Sequence, residues 1–443
     1  MNNGILRESS SFERIMFHYA SKEPAFFAFR IRFTGQCDEA RLRTALAKAR
    51  VQYPLSAVRV EHDGQKRQYL RTDSVPDYPL TVITDPSISW TETIIRGLQE
   101  PFDHSAGPMA RFTLLTHTDA HDLIAIFHHA VVDGIGALVF LEYLMNCLSD
   151  PTIEPTAPDD LHRAPMLHRI IHPDNLRKIQ EKGIPDYFVK KEYLNIDILP
   201  YTKPVFRSPR FSLHTASFSA DKTQTLIMHA RRHEVSIHAY LGALVMSVFA
   251  EQFGPADGYE RTIQCPVNFR PQLIPEARKM FGLFNGIVKA KAVCTPDREI
   301  ADIAQEVGTK IREDVDSLEP LAGYYNFMSY YLEGVQDPER LYESRTDGPM
   351  KMDYDFSFSN VGRLDWLLSG SDIRIQEIHG PVFSALRGER VIGALTFNGR
   401  LCMTMIYDPD NFNDELGGIL WTRICERVDK LPPVNDVDNR KNS

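Results

Sequence analysis

Hydrophobic and polar positions alternate most clearly where Phe27, Phe29, Ile31 and Phe33 are separated by Ala28, Arg30, Arg32 and Thr34. That two-residue period predicts a strand with one buried face. Past Asp38, Leu42, Ala45, Leu46 and Ala49 fall on one side of a helix, which Tyr53-Pro54-Leu55 ends. Short apolar runs at Ala57–Val60 and Gln68–Leu70 predict a hairpin through His62–Gln65. Leu123-Ile124-Ala125-Ile126 is continuous, apolar and partly β-branched, as a buried strand is, and residues 135–145 are long enough for a helix. Similar signals predict a capped helix over residues 9–20, strands over 111–116 and 213–219, and helices over 221–233 and 238–253, the last behind Ser236 as N-cap. A strand over 261–271, a hairpin across Asn398-Gly399 and a final helix over 414–430 follow. Strand and helix signals interleave throughout, so the expected fold class is α/β.

Between the run at 123–126 and the helix at 135–145 lies Phe127-His128-His129-Ala130-Val131-Val132-Asp133-Gly134. Two imidazoles therefore leave a strand end, and a carboxylate opens the next helix. Asp133 is the expected N-cap, and Gly134 is expected to let the chain turn sharply there. A neutral imidazole accepts a proton near neutral pH, which suits general-base chemistry. No Ser or Cys neighbours the pair in sequence, so the simplest mechanism has a deprotonated acceptor attack directly, without a covalent acyl-enzyme.

Composition narrows the classes. The chain has 443 residues, 43% hydrophobic and 25% charged, enough for two ordinary domains. A net charge of −9 opposes a general nucleic-acid role. Six scattered cysteines without a C-x-x-C read as reduced, mostly buried thiols. Residues 1–14 lack a signal-peptide pattern, and the most apolar stretch, residues 237–250, is too short to span a bilayer. A cytoplasmic monomer with no membrane span is expected. His233 and His238 nearly match a zinc-binding helix motif, but a spacing of five residues turns them apart, so no metal site is expected.

His128-His129-x-x-x-Asp133-Gly134 resembles the signature of the thioester-dependent acyltransferase superfamily: chloramphenicol acetyltransferase, plant alcohol acyltransferases, alcohol acetyltransferases, wax ester synthases and the condensation domains of nonribosomal peptide synthetases. Further segments resemble the same group: Pro101–Phe112, a turn-rich run expected to be scaffold, Pro266-Val267-Asn268-Phe269-Arg270-Pro271, Met280–Gly286 and Ser359-Asn360-Val361-Gly362.

The resemblance implies two chloramphenicol acetyltransferase-like halves, residues 1–165 with the His motif and 166–431, with mixed sheets, helices and an active-site tunnel at their interface. Residues 432–443 are expected to be a disordered tail. By resemblance His129 is the general base, His128 supports it, Asp133 orients the motif and Arg270 pairs with Asp133. Asn360, or a hydroxyl near it, is a candidate oxyanion donor, with a simple turn residue as the equal alternative. No permanent cofactor is implied. Acyl-CoA or an acyl-phosphopantetheine is the expected co-substrate, with a small-molecule acceptor and an acyl or peptidyl carrier protein as partners. The expected reaction is acyl transfer to a hydroxyl or amine, O-acylation favoured. Two alternatives stand beside it: a free-standing condensation enzyme that forms an amide between carrier-bound substrates, and a non-catalytic member that binds a carrier protein.

Overall fold

The computed structural model describes residues 4–62, 68–156, 167–182, 209–254, 258–326, 352–367, 372–384 and 389–433. The expected boundary at 165 and 166, the turn of the first hairpin and residues 434–443 of the expected tail lie outside them.

The chain opens with β1 (Ile5–Glu8) and α1 (Ser11–Ala20), whose N-cap Ser10 and Glu13 form a capping box. The alternating segment is β2 (Phe26–Thr34), followed by α2 (Glu39–Gln52), capped by Asp38 and burying Leu42, Ala45, Leu46 and Ala49. Next come β3 (Arg59–His62), β4 (Gln68–Arg71), β5 (Leu80–Ile83), α3 (Trp90–Gln99), β6 (Ala110–Thr116), β7 (His121–His128) and α4 (Gly134–Ser149). β1, β4 and β3 form a small separate sheet.

The later strands are β8 (Ser212–Ser217), β9 (Tyr259–Asn268), β10 (Asn285–Cys294), β11 (Phe356–Arg363), β12 (Arg374–Phe383), β13 (Arg390–Phe397) and β14 (Arg400–Tyr407). A six-stranded mixed sheet has the order β10-β9-β11-β13-β14-β8. β9, β11 and β13 run parallel, and antiparallel pairs flank them. The helices Ile237–Phe253 and Ile300–Asp316 bury Leu244, Val245, Ile303 and Val307 in one core with Phe356 and Phe358 of β11. The predicted hairpin is present, with Asn398 and Gly399 both at positive φ, 49° and 72°.

A five-stranded sheet has the order β12-β2-β7-β6-β5. Its edge strand β12 lies far on in the sequence, yet it pairs antiparallel with β2 from Thr34–Arg374 to Phe27–Phe383. Residues on the C-terminal side of the expected boundary thus complete the sheet that carries the His motif. A buried polar junction fixes this crossover. Arg30 of β2 donates to Asp122 of β7 (2.8 Å) and to Glu377 of β12 (2.5 Å), and Ser217 of β8 donates to the other Glu377 oxygen (2.9 Å). Three strands of one sheet, β2, β7 and β12, and β8 of the other are held by one guanidinium–carboxylate cluster, and the buried charges have partners.

Phe26, Ala28 and Val382 of the five-stranded sheet meet Val391 and Ile406 of the six-stranded sheet in a core of their own, with Ile94 and Leu98 of α3. The seam between the sheets is therefore packed, except where the cavity described below opens. All six cysteines are free thiols, and five are buried. Among the described residues no single helix is long and apolar enough to cross a membrane.

Candidate active site

His128 is the last residue of β7, paired across the sheet with Phe26. Beyond it the chain turns: the His129 N–H donates to Ala25 O (2.8 Å) and the Asp133 N–H to Gly282 O (3.2 Å). Asp133 then opens α4 as N-cap, its Oδ1 accepting from the Gly136 N–H (2.8 Å). The motif is thus a strand–turn–helix junction, as its sequence predicts.

The His129 ring makes one polar contact among the described residues: its Nδ1 lies 2.9 Å from Val132 O. A carbonyl only accepts, so Nδ1 carries the proton and Nε2 keeps its lone pair. Phe27 and Phe383 pack around the ring at 5.3 and 5.1 Å between centroids. Burial lowers the His129 pKa below the ordinary 6.5, and the Val132 hydrogen bond and the Asp133 charge oppose that shift. An imidazole accepts a proton only in its neutral form, so a base at this position would act only above its own folded pKa. The acid limb of kcat/KM should therefore lie below pH 6.5, with no further gain from this group above it; a limb centred above 6.5 would contradict the assignment.

His129 lines a cavity of about 270 Å³ between the two sheets. On its side stand Met16 and Tyr19 of α1, Phe26 of β2 and Phe383 of β12. Opposite stand Gln264 and Pro266 of β9, Asn285 and Ile287 of β10, and Ser357 and Ser359 of β11. Glu389 also lines it, and Tyr354 donates its hydroxyl to that carboxylate (2.8 Å). Burial, reinforced by the Glu389 charge, raises the Tyr354 pKa, so its phenol stays protonated as the donor.

The Asp133 carboxylate is buried. Its Oδ2 accepts from Arg270 Nη1 (2.8 Å) and from the Phe284 N–H (2.7 Å). Arg270 follows β9 in a short 3₁₀ turn, is 3% exposed, and donates from Nη2 to Met280 O and Gly282 O, each 3.2 Å away. The pair therefore ties the start of α4 to the loop at 280–284. Gly136 is the residue this geometry needs and the sequence reading passes over. A Cβ there would lie 2.7 Å from Val132 Cγ2, 3.0 Å from Arg270 Nη2 and 3.0 Å from Gly282 O. Gly136→Ala should destabilise the fold by about 1–3 kcal/mol, read as a lower urea midpoint; an unchanged midpoint would mean the loop yields freely.

Two expected details come out differently. Gly134 does not need glycine's backbone freedom: it is the first residue of α4 and has no positive φ. Its constraint is spatial, since a Cβ would come within 3.3 Å of Val361 Cγ1 of β11. Asn360 is not among the residues lining the cavity, and its side-chain oxygen accepts from the Gly362 N–H (2.9 Å), where φ is +82°. Successive strand residues face opposite ways, and the cavity takes Ser357 and Ser359. Phe358, of the other parity, packs against His238 of the helix layer, ring centroids 4.9 Å apart. Ser359 is thus the cavity-lining hydroxyl beside Asn360, while the Asn360 amide closes a bend within β11, where pairing with β13 shifts register between Asn360 and Arg363.

His128 is fully buried and contacts His104, Nε2 to Nε2 at 3.0 Å. His104 lies in the Pro101–Phe112 run that sequence reading takes for scaffold. Its only signal is a polar ring in a segment otherwise explained by turns.

Among the described residues one group outside the site gathers metal-ligand types. Glu377, His379 and Cys402 bring their ligand atoms within 4.8 Å of one another. Arg30 and Ser217 already meet the two His379 ring nitrogens (3.0 and 3.1 Å) and both Glu377 oxygens. The group is part of the polar junction that holds β12.

Two family models match separate stretches: the condensation domain over residues 15–150, and the phthiocerol/phthiodiolone dimycocerosyl transferase C-terminus over 207–406. Along these two stretches the chain is similar to condensation domains and related acyltransferases, and its fold is theirs. The trichothecene 15-O-acetyltransferase TRI3 of Fusarium sporotrichioides superposes with a TM-score of 0.69 at 13% identity, covering 95% of this chain and 94% of that one. By sequence the chain is similar to azaphilone biosynthesis cluster protein M of Aspergillus terreus, 23% identical over 327 residues, 70% of this chain and 76% of that protein. It is also similar to surfactin synthase subunit 1 of Bacillus subtilis, 20% identical over 387 residues, which are 87% of this chain and 10% of that far longer protein.

Proposed function

We propose that the protein transfers an acyl group from a thioester, on coenzyme A or on a carrier protein, to a hydroxyl of a small molecule, with His129 as general base. One observation carries this reading: the Val132 carbonyl holds the Nδ1 proton, so the lone pair of a neutral imidazole is left on Nε2 of a residue that lines the inter-sheet cavity. Nε2 takes the acceptor proton as the acceptor oxygen bonds to the thioester carbonyl carbon. The tetrahedral oxyanion then collapses, the C–S bond breaks, and the same imidazolium returns the proton to the departing thiolate. Ser357 and Ser359 line the same cavity, and a hydroxyl donor of this kind is worth about 10²–10³-fold when it meets an oxyanion.

A direct transfer is favoured over a covalent acyl-enzyme. Among the described residues no cavity serine hydrogen-bonds to His129. The Ser384 hydroxyl donates to Pro24 O (2.8 Å) and accepts from the Phe26 N–H (3.1 Å), so it is held away from a nucleophile's role. Asp133 and Arg270 keep the junction in shape without touching the reacting atoms.

The match to an O-acetyltransferase fold and to a dimycocerosyl transferase C-terminus supports O-acylation, and the likeness to a biosynthetic-cluster protein supports a natural-product acceptor. Amide formation between carrier-bound substrates is the second reading, favoured by the condensation-domain match over the motif itself. Mass spectrometry of products from acyl-CoA and acyl-carrier donors, each offered with alcohols and with amines, decides between them. Ester from acyl-CoA is the expected result, and amide formed only from carrier-bound donors would replace it with the second reading.

A further inference from the structure

His128 sits in a cage of aromatic rings, with Phe17, Phe26 and Phe102 centred 4.9, 5.2 and 5.6 Å from its own ring. A neutral imidazole has one N–H and one lone pair, and burial drives the His128 pKa well below 6.5, so the ring is neutral. The Ala130 N–H donates to Nδ1 (3.1 Å), which places the lone pair there and the proton on Nε2. That proton needs an acceptor inside an apolar cage, and His104 Nε2 at 3.0 Å is the acceptor present. His104 must then carry its own proton on Nδ1. No other arrangement satisfies His128: its other tautomer sets Nδ1–H against the Ala130 N–H, and a flipped ring points carbons at both partners.

The backbone around His104 is pinned. Asp103 Oδ1 accepts from the Ser105 and Ala106 N–H groups (2.9 and 3.2 Å), and the Val60 N–H donates to His104 O (2.7 Å). The acceptor nitrogen therefore has a fixed place. On the other side, the His128 Nδ1 bond to Ala130 closes a turn whose middle residue is His129.

We propose that His104 is a positioning residue: by accepting the His128 proton it holds the turn that presents His129 to the cavity. The kinetic part rests on His129 being the base; the structural part does not. Loss of the acceptor leaves a buried N–H without a partner and releases the Ala130 turn. A displacement of the base by about 1 Å can cost on the order of 10²-fold in rate.

The test uses the full chain labelled with ¹⁵N-histidine. The wild type should show scalar coupling between the two Nε2 nitrogens across the hydrogen bond, and His129 as a single Nδ1–H tautomer. His104→Leu should abolish the coupling, split His129 between two tautomers and lower kcat by about tenfold to hundredfold with KM unchanged, on the donor–acceptor pair the wild type turns over fastest. His104→Gln, whose side-chain oxygen reaches the position of Nε2, should restore the single tautomer and most of kcat. Absence of coupling in the wild type overturns the proposal even if the Leu variant fails to fold. So does a Leu variant whose His129 tautomer is unchanged. If His129→Ala retains turnover while the tautomer results hold, the reading of His129 as base fails and the positioning of the turn stands.

Discussion

His129→Asn should lose about 10²–10⁴-fold in turnover while its melting temperature stays within a few degrees of the wild type. The substitution separates two roles of one ring. An Asn side-chain N–H can reach the Val132 carbonyl that Nδ1 meets now, at 2.9 Å, so the turn keeps its hydrogen bond. It supplies no group that titrates near neutral pH, so the acceptor proton has nowhere to go. His129→Ala should lose activity equally and a little more stability, because the contacts to Phe27 and Phe383 go with the ring. The measurement is product formation by mass spectrometry beside a thermal melt. Product at the wild-type rate from the Asn variant would remove general-base catalysis from this site.

Arg270→Met should destabilise the fold by about 3–5 kcal/mol, because it leaves a carboxylate buried without its cation. Asp133 and Arg270 are each 4% exposed in their side chains, with 2.8 Å between Oδ2 and Nη1. Two N–H groups, of Gly136 and Phe284, would still donate to Asp133, but none carries a full charge. Asp133→Ala should cost a similar amount: it strands the guanidinium and removes the cap of α4. Combining Asp133→Asn with Arg270→Met should cost less than the sum of the two single changes, since the second removes a charge the first has already orphaned. Urea midpoints of the wild type, Asp133→Asn, Arg270→Met and the double variant measure this. Strict additivity would mean that the two groups act independently, and an Arg270→Met midpoint equal to the wild type would remove the pair from the structural account. The outcome also bears on activity, because the same carboxylate anchors the end of the turn that carries His129.

Much of this was legible in the chain. The strand β2, its capped partner α2, the β13–β14 hairpin and the junction of β7 with α4 follow from alternation, capping residues and an Asn-Gly turn, all interactions between near neighbours. His129 and Asp133 are conspicuous because they stand in one short motif at a strand end. Arg270 came from resemblance; the structure supplies the 2.8 Å contact.

The rest depended on which faces meet. Along β11, Phe356 and Phe358 alternate with Ser357 and Ser359, which marks two faces but not which one lines a cavity. A common expectation would send the serines to solvent, and here they stand opposite His129 because a second sheet closes over them. β12 could not be assigned to the first sheet from its own residues, since edge pairing is decided by a neighbour hundreds of positions away and by the Arg30–Glu377 contact. His104 carries no local signal for the same reason: its value lies in the proton of His128, which the fold alone brings to it. The chain by itself determined its local elements and the residues able to move a proton, because those are set by side-chain chemistry and short-range spacing. Only tertiary structure decided which residues share the cavity and which histidine supports which, because hydrogen bonds and burial connect atoms by distance in space, whatever their separation in sequence.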